Sequence, residues 1–379
     1  MRVSPARSLA QRAAWLRLRA NFRDELNRRS LSVAVLRSVL SAFDRTAFQN
    51  AADPLLPTEA ALGGDDESNV FGLLERHGAA DAADFLRTAV AEAAAARHEV
   101  DEDGSVQILS TSDGLYSVVW RSLAQRNSSR AAFSVSRTRL EWLRSVFCGE
   151  PAAFEPSLFA MLARYDAVSE AGAGAQAAVP AGVYRAFHQA WPREAEVGEA
   201  VVEGFASPLN HQLVAARRVD FGTAFADTDT PFGGVGPFET HADALCSAAP
   251  HTLLLLNPPF GPREMLAMSH RLERTLARDD GAASALVVVP SLEARGGTPP
   301  HLAALEASPH LVGEPLRLGA GEHAYVDGRA HRMTRRKTIR AARHESVVLL
   351  LSSHPAARGA AGAVLGAVRD AFRSAVDSG

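Results

Sequence analysis

An apolar run, Leu253-Leu254-Leu255-Leu256, leads directly into Asn257-Pro258-Pro259-Phe260 and constrains the fold of this chain more than any other feature. Four consecutive leucines are typical of a strand that is buried on both faces of a parallel sheet. Two prolines cannot continue a central strand. Because ligands bind at the carboxyl ends of parallel strands, the sequence predicts an α/β fold with a functional loop at this edge.

The residues of this loop suit methyl transfer to an amino group. An exocyclic amine such as adenine N6 is a poor nucleophile, because its lone pair is delocalised into the ring. The side-chain oxygen of Asn257 and the carbonyl of Pro258 could each accept one amine hydrogen and stabilise the developing positive charge. The prolines fix that carbonyl, and Phe260 could offer a face for base stacking. The alternative is a Pro-Pro pair that ends a strand beside a capping aromatic.

Composition limits the remaining classes. The chain has 379 residues, of which 47% are hydrophobic, so it can bury a large core and is expected to form two domains. A net charge of -3 does not indicate a nucleic-acid binder. Cys148 and Cys246 are the only cysteines and lie far apart, which excludes a Cys-based zinc site and argues against a disulfide framework. We expect no bound metal and an intracellular, reducing location, either nuclear or cytoplasmic, with the chain a monomer.

The first 31 residues contain scattered arginines and no continuous apolar core. They therefore predict neither a secretory signal nor a membrane span, and no membrane partner is expected. A transit peptide stays open, because the first twenty residues are rich in arginine and serine and poor in acids.

Residues 1–170 are predicted to be a mainly helical N-terminal domain. Helices are expected over 32–48, 80–98 and 137–147, with a loop near 50–68 that is rich in Asp, Pro and Gly. Two short β-like runs within 105–121 surround Ser112-Asp113-Gly114 and predict a hairpin.

After a Gly/Ala connector at 171–175, strands and helices alternate. The pattern predicts strands at 200–205, 253–256, 285–289 and 346–351. Helices are expected over 183–191, from Pro262, and over the tail from residue 359. Met265, Met268, Leu272 and Leu276 share one helix side and are expected in the core.

The strand at 200–205 is followed by Ala206-Ser207-Pro208-Leu209-Asn210, without the usual glycine fingerprint of a nucleotide site. The Ser207 hydroxyl and the Asn210 amide could hold the amino-acid end of S-adenosylmethionine. Equally, Ser207 and Pro208 could be the N-cap and first residue of a helix. Further along, Asp227 or Asp229 could bind ribose hydroxyls and Phe232 could stack. A turn-rich surface loop, or metal binding by the Asp pair, are the alternatives there.

Three segments together resemble the phosphorylated-CTD-interacting-factor family of cap-specific adenosine N6-methyltransferases. They are residues 205–210, residues 224–229 with Phe232-Gly233, and residues 257–260, in the same order and spacing. Similarity extends over about half the chain, roughly residues 159–352. The specific part is the run Phe-Ala-Ser-Pro-Leu-Asn.

The resemblance implies a Rossmann-like class I methyltransferase domain over 171–379, ending in a C-terminal helix. It implies S-adenosylmethionine as donor, S-adenosylhomocysteine as product, and N6 of the cap-adjacent adenosine of mRNA as acceptor. The catalytic residues would be Asn257, Pro258, Pro259 and Phe260. Donor-binding candidates are Phe205, Ala206, Ser207, Pro208, Asn210, Asp227, Asp229 and Phe232. No N-terminal WW-like module with paired tryptophans is visible in the sequence.

Residues 331–343 are more basic than the matching family segment. Such a cluster suits cap phosphates or an RNA backbone, and its alternative is a solvated helix face. The candidates are Arg332, Arg335, Arg336, Lys337 and Arg340.

Other functions stay open. The acceptor could be adenine in DNA or internal RNA, flipped out or single-stranded. A protein-glutamine methyltransferase commonly has Asn-Pro-Pro-Tyr, so Phe260 counts against it. A catalytically weak RNA-binding homologue is the non-enzymatic alternative, against which the intact tetrapeptide counts.

Overall fold

The computed structural model describes residues 4–29, 31–47, 55–63, 69–95, 104–122, 131–171, 177–192, 199–213, 220–246, 251–278, 282–291, 297–334, 338–354 and 357–378. The chain divides into two compact units. Unit 1 comprises Met1–Leu140 and Cys148–Ala173, and unit 2 comprises Glu141–Phe147 and Gly174–Gly379.

Unit 1 combines helices with a small sheet. Its helices are α1 (Pro5–Arg28), α2 (Val33–Thr46), α3 (Glu59–Leu62), α4 (Val70–Arg76), α5 (Asp81–Ala95), the first part of α6 (Arg137–Val146) and α7 (Phe154–Ala171), with a 3-10 turn at Pro151–Ala153. The strands β1 (Gly104–Ser110), β2 (Leu115–Ser122) and β3 (Ala131–Ser136) form one antiparallel sheet in that order. Trp15 of α1 stacks on Phe43 of α2 with ring centroids 4.9 Å apart, which joins the first two helices.

The predicted hairpin is confirmed, because β1 and β2 pair in antiparallel register around a turn. Gly114 adopts a φ of 81°, a left-handed conformation that glycine tolerates best. The helix expected over 32–48 is α2, in which Val39 and Phe43 are fully buried. The expected loop near 50–68 is wrong in its middle. Residues 59–62 form α3, where the Thr58 side chain caps the helix and Leu62 is buried.

Unit 2 is built on a larger sheet. Its helices are α8 (Ala181–Ala190), α9 (Ala226–Asp229), α10 (Phe238–Cys246), α11 (Pro262–Leu276), α12 (Pro300–Glu306) and α13 (Ala357–Ser378), with 3-10 turns at Thr230–Phe232 and Ala330–Arg332. Its strands are β4 (Glu199–Ala206), β5 (Phe221–Thr223), β6 (Gly234–Gly236), β7 (His251–Leu256), β8 (Ala282–Pro290), β9 (Leu316–Leu318), β10 (Ala324–Val326), β11 (Ile339–Ala341) and β12 (Ser346–Ser352).

Seven of these strands form one mixed sheet in the order β6-β5-β4-β7-β8-β12-β9. The strands β4 to β8 run parallel to one another, and β12 is antiparallel to both β8 and β9. β10 and β11 form a separate antiparallel hairpin. The chain starts the sheet in the middle with β4 and then builds outward on both sides. The boundary between β4 and β7 is therefore the point where the strand order reverses.

The four leucines of β7 confirm the predicted central strand, since each is at most 1% exposed. Leu253 and Leu255 belong to the core cluster that includes residues of α8 and α13. Leu254 and Leu256 belong to the opposite cluster, which includes Met265, Met268, Leu272 and Leu276 of α11. Fully burying each leucine contributes about 1.5–3 kcal/mol. The loop after β7 is thus anchored to the most deeply buried strand of the unit.

Candidate active site

Two predicted loops leave the sheet side by side. β4 and β7 pair in parallel, with Glu203 opposite Leu255. The residues that follow them, 207–210 and 257–260, therefore begin at the same edge, next to the point where the strand order reverses. Ligands of open α/β sheets bind in the crevice at this position.

Asn257 holds its side chain in one defined orientation. Its Nδ2 atom donates a hydrogen bond to the Ala177 carbonyl at 2.9 Å. Its Oδ1 atom is buried and has no hydrogen-bond partner among the residues that the structure describes. Leaving a buried acceptor unsatisfied costs about 1–3 kcal/mol. A bound N–H group would supply the missing bond.

The rest of the loop is a tight turn into α11. Pro258 is buried, and the Pro259 carbonyl accepts a hydrogen bond from the Gly261 N–H at 2.7 Å. The helix then begins at Pro262, where a missing N–H has no consequence. The Phe260 ring is half-buried and makes edge contacts with Tyr325 at 5.7 Å and His344 at 5.5 Å. Base stacking by Phe260 stays a prediction.

The rings around Phe260 form a cluster of uncharged groups, which we call the aromatic cluster: Phe260, His323, Tyr325 and His344. Tyr325 stacks on His344 at 6.0 Å, and Ser346 Oγ lies 2.8 Å from His323 Nε2 and 3.1 Å from the Tyr325 hydroxyl. Burial lowers the pKa of both histidines and raises the pKa of Tyr325 to about 12. The cluster therefore carries no charge near neutral pH.

A short extended segment connects the loop to the β10–β11 hairpin. The Ala177 carbonyl holds Asn257, while the Ala178 N–H and carbonyl both pair with Val326 of β10, at 3.2 and 2.8 Å. The hairpin thus contacts the loop through this segment and through Tyr325. The sequence reasoning missed Ala177, because a residue that acts through its backbone carbonyl has no side-chain signature.

The turn after β4 uses its polar side chains internally. The Ser207 N–H donates to Asn210 Oδ1 at 2.7 Å, and the Asn210 N–H donates to Ser207 Oγ at 3.2 Å. The Ser207 hydroxyl itself lies 3.0 Å from Asn210 Oδ1. Residues 208–210 form a turn, so the alternative in which Ser207 and Pro208 start a helix is wrong. The two side chains fix the shape of the turn.

A buried contact between a glutamate and a histidine supports this turn. Glu203 is 1% exposed, and its Oε2 atom lies 2.5 Å from His211 Nδ1 and accepts the Gln212 N–H at 3.0 Å. The His211 ring stacks on Phe221 at 4.7 Å. Sequence reasoning missed this pair, although a carboxylate within an apolar strand is a usable signal, since Glu is almost never fully buried without a partner.

The three candidates after β5 occupy different environments. Asp227 is exposed at the start of α9. Asp229 is fully buried and accepts hydrogen bonds from the Thr223 and Thr228 hydroxyls. Phe232 is fully buried and contacts Phe147 at 5.3 Å. Of these three, the structure leaves only Asp227 at the surface.

The basic candidates lie on and beside the hairpin. Arg332 ends a 3-10 turn, and Arg340 lies on β11 directly opposite Tyr325. Arg340 Nε is 2.6 Å from Asp327 Oδ2, although its side chain is 68% exposed. Arg335, Arg336 and Lys337 lie outside the described residues. The described parts of this segment form no α-helix, which argues against a solvated helix face.

Within the described ranges, no group of three or more His, Cys, Asp or Glu side chains could hold a metal ion. Among the same residues, no helix is long and apolar enough to cross a membrane.

The fold and site define an α/β protein with a candidate ligand site at the carboxyl edge of a mostly parallel sheet. A family model described as Phosphorylated CTD interacting factor 1 WW domain matches residues 144–328. This match supports membership of the chain in that family. No curated protein matches the chain.

The matched residues include both loops and end shortly after β10. The expectation that the chain lacks a WW-like module stays a prediction, because the description of the matching family itself names a WW domain.

Proposed function

We propose that this protein is an S-adenosylmethionine-dependent methyltransferase that acts on N6 of the cap-adjacent adenosine of mRNA. The observation that carries the proposal is the buried Oδ1 of Asn257, which has no partner in the part of the chain that the structure describes. It lies at the carboxyl end of a central strand, where the strand order reverses. In this proposal residues 171–379 form a Rossmann-like class I methyltransferase domain, and residues 1–170 form a preceding domain.

Asn257 and Pro258 bind and orient the amine. Asn257 Oδ1 and the Pro258 carbonyl each accept one N6 hydrogen, which directs the nitrogen lone pair away from the two acceptors. Ala177 holds the amide so that the oxygen, and not the nitrogen, faces the amine. Because these acceptors are fixed before the substrate binds, they stabilise the positive charge on N6 without reorganising.

S-adenosylmethionine, when bound, would supply an electrophilic methyl group to the N6 lone pair, and the electron pair of the broken carbon–sulfur bond would stay on the S-adenosylhomocysteine that leaves. The methylated nitrogen then carries a positive charge next to Asn257 and Pro258. Both acceptors hold its hydrogens until one proton leaves to water, which restores the neutral amine.

The residues present fit this donor at two places. The end of β4 and the turn after it lie beside Asn257, and the residues there that would hold the donor next to the amine are Phe205, Ala206, Ser207, Pro208 and Asn210. Asp227 is exposed beyond β5, twenty residues after Ser207, and about this spacing separates the phosphate turn from the ribose-binding acid of dinucleotide folds. Asp229 and Phe232 support the site from the core.

The β10–β11 hairpin provides the RNA side of the proposed site. Arg340 lies opposite Tyr325, which contacts Phe260. Arg332 and the sequence candidates Arg335, Arg336 and Lys337 belong to the same basic segment. Guanidinium groups bind phosphate well, so this segment is the proposed contact for cap phosphates.

Methyl transfer from labelled S-adenosylmethionine to short RNAs tests the function. The substrates are an RNA with a 7-methylguanosine cap and a first adenosine, its uncapped counterpart, and single-stranded DNA. We expect transfer to the capped RNA, with N6-methyladenosine at its first position. Equal transfer to uncapped RNA or DNA would retain the chemistry and overturn the cap assignment. Bound donor without transfer would favour an RNA-binding homologue.

A further inference from the structure

His344 contains a second buried polar atom beside the loop. Its Nε2 atom is buried and has no hydrogen-bond partner within the described part of the chain, although the ring as a whole is only partly buried. Buried polar atoms without partners are uncommon in folded proteins and call for an explanation. In the proposed function, the substrate amine pairs with the buried Oδ1 of Asn257. The position of His344 suggests that Nε2 pairs with a second atom of the same substrate.

The positions of the two atoms are linked by direct contacts. Phe260, three residues after Asn257, lies 5.5 Å from His344 with the rings at 78°. Tyr325 stacks on His344, and the next residue, Val326, pairs with Ala178. The Asn257 amide is bonded to Ala177, the residue before Ala178. His344 and Asn257 therefore flank the same short stretch of structure.

The chemistry of His344 suits an uncharged partner. Burial lowers the pKa of its imidazole, so the ring is neutral near pH 7 and carries one N–H donor and one acceptor nitrogen. Phosphate groups, by contrast, are best matched by the exposed guanidinium groups of the basic segment. The neutral imidazole lies beside Phe260, whose ring could stack on a base. The edge of that base is therefore a suitable partner for the imidazole.

We propose that His344 Nε2 donates a hydrogen bond to a ring nitrogen of the acceptor adenine and so selects the base whose amine Asn257 holds. This inference rests on the proposed function. Adenine has an acceptor nitrogen beside its amine on each side, N1 on the Watson–Crick edge and N7 on the Hoogsteen edge. When both amine hydrogens are held by Asn257 and Pro258, one such nitrogen is the remaining polar atom of that edge.

The binding geometry also requires a movement. Both unpartnered atoms are shut off from solvent, so a base cannot reach them in the conformation described. Phe260 is the half-buried side chain between the loop and His344. We expect its ring to turn outward as the base enters, which would also free a face for stacking.

Atomic substitution of the base tests the hydrogen bond directly. Capped RNAs would begin with adenosine, 1-deazaadenosine or 7-deazaadenosine, and each would be methylated by the wild type, His344→Ala and His344→Gln. His270, an exposed histidine on α11, gives the matched control His270→Ala. Thermal unfolding and S-adenosylmethionine binding of each variant would show that the protein is folded and binds donor.

We expect His344→Ala to lower kcat/KM on the adenosine RNA by about tenfold, the size of one hydrogen bond. The kcat/KM of the wild type should fall by about as much when one of the two deaza substrates replaces adenosine. On that substrate, His344→Ala should cause no further loss of kcat/KM. His344→Gln, which retains an N–H donor, should recover part of the rate. Which deaza substrate shows the coupling identifies N1 or N7 as the partner.

Two results would overturn the inference. One is a wild-type rate for His344→Ala, and the other is a full additional loss on both deaza substrates. Binding of the same RNAs, followed by fluorescence anisotropy with S-adenosylhomocysteine present, gives a readout that needs no turnover. If the wild type methylates adenosine but the His344 and deaza effects are not coupled, only the role of His344 is wrong. If no RNA is methylated but binding still distinguishes adenosine from a deaza substrate, only the proposed reaction is wrong. A wild type that shows neither removes both.

Discussion

The loops after β4 and β7 leave neighbouring strands at one edge of the sheet, but they treat their polar side chains in opposite ways. In the turn after β4, Ser207 and Asn210 bond to each other and to the local backbone. In the loop after β7, Asn257 is fixed from one side, and its oxygen has no partner among the described residues. In the first loop, the polar side chains of Ser207 and Asn210 bond within the turn and fix its shape. The second keeps one buried acceptor open among the described residues, and this acceptor is where we propose that the amine binds.

This difference predicts which variants affect turnover and which affect donor binding. The largest effect is expected for Asn257→Ala, which removes a preorganised acceptor of the reacting amine. We expect kcat to fall by ~10²-fold or more. Donor affinity should stay nearly unchanged, because the donor turn does not depend on this amide.

Single-turnover methyl transfer and calorimetric titration with S-adenosylmethionine would measure the two quantities. Asn27→Ala, at an exposed asparagine of α1, is the matched control. An unchanged rate in Asn257→Ala would remove the basis of the contrast between the loops.

The next largest effect is expected for Asn210→Ala, with the opposite signature. The substitution removes the acceptor of the Ser207 N–H and loosens the donor turn. The donor dissociation constant should rise by roughly tenfold, since one structural hydrogen bond contributes about 1 kcal/mol and a buried N–H is left unpaired. At saturating donor, kcat should remain within about twofold of wild type. A kcat that falls as far as in Asn257→Ala would mean that the two loops act as one unit.

A smaller effect is expected from the hairpin. Arg340 is already paired with Asp327, so its charge is partly compensated before RNA binds. Arg340→Ala should weaken binding of capped RNA by about two- to fivefold and reduce the slope of log K against log salt by about 1 or less. Anisotropy titrations over a salt series would measure both. Arg358→Ala, at an exposed residue of α13, is the control, and an equal slope change in that variant would argue against a phosphate contact by Arg340.

The same contrast explains what could be predicted from the sequence. The leucines of β7 are buried on both faces, so their pattern reports the central strand and the loop that must follow it. The short strands β5 and β6 have three residues each and no such pattern, and they were not predicted. Side chains that bond within their own turn, such as Ser207 and Asn210, look the same in sequence as side chains that await a ligand. Contacts such as Asn257 with Ala177 join residues eighty positions apart and follow only from the folded chain.

The smallest effect is expected from a change of pH, and it concerns the residues that support the β7 loop. The β7 loop contacts the aromatic cluster, in which burial lowers the pKa of His323 and His344. For His323, the Gly319 carbonyl and Glu322 act in the opposite direction, and His344 adds to the lowering. Below the ordinary histidine pKa of about 6.5, the unfolded chain takes up protons that the folded chain resists. The free energy of unfolding should therefore be fully retained above about pH 6.5 and should fall as the pH drops below it.

His323→Gln tests this directly, because the amide can still bond to Ser346 but does not titrate. Thermal midpoints of the wild type and the variant would be compared between about pH 7.5 and about pH 5.5. The wild type should lose more stability over this interval than the variant. If the two proteins lose the same amount, His323 does not contribute to the acid sensitivity. The β7 loop would then differ from the β4 turn only in its unpartnered acceptor, and not in the titration of the residues that support it.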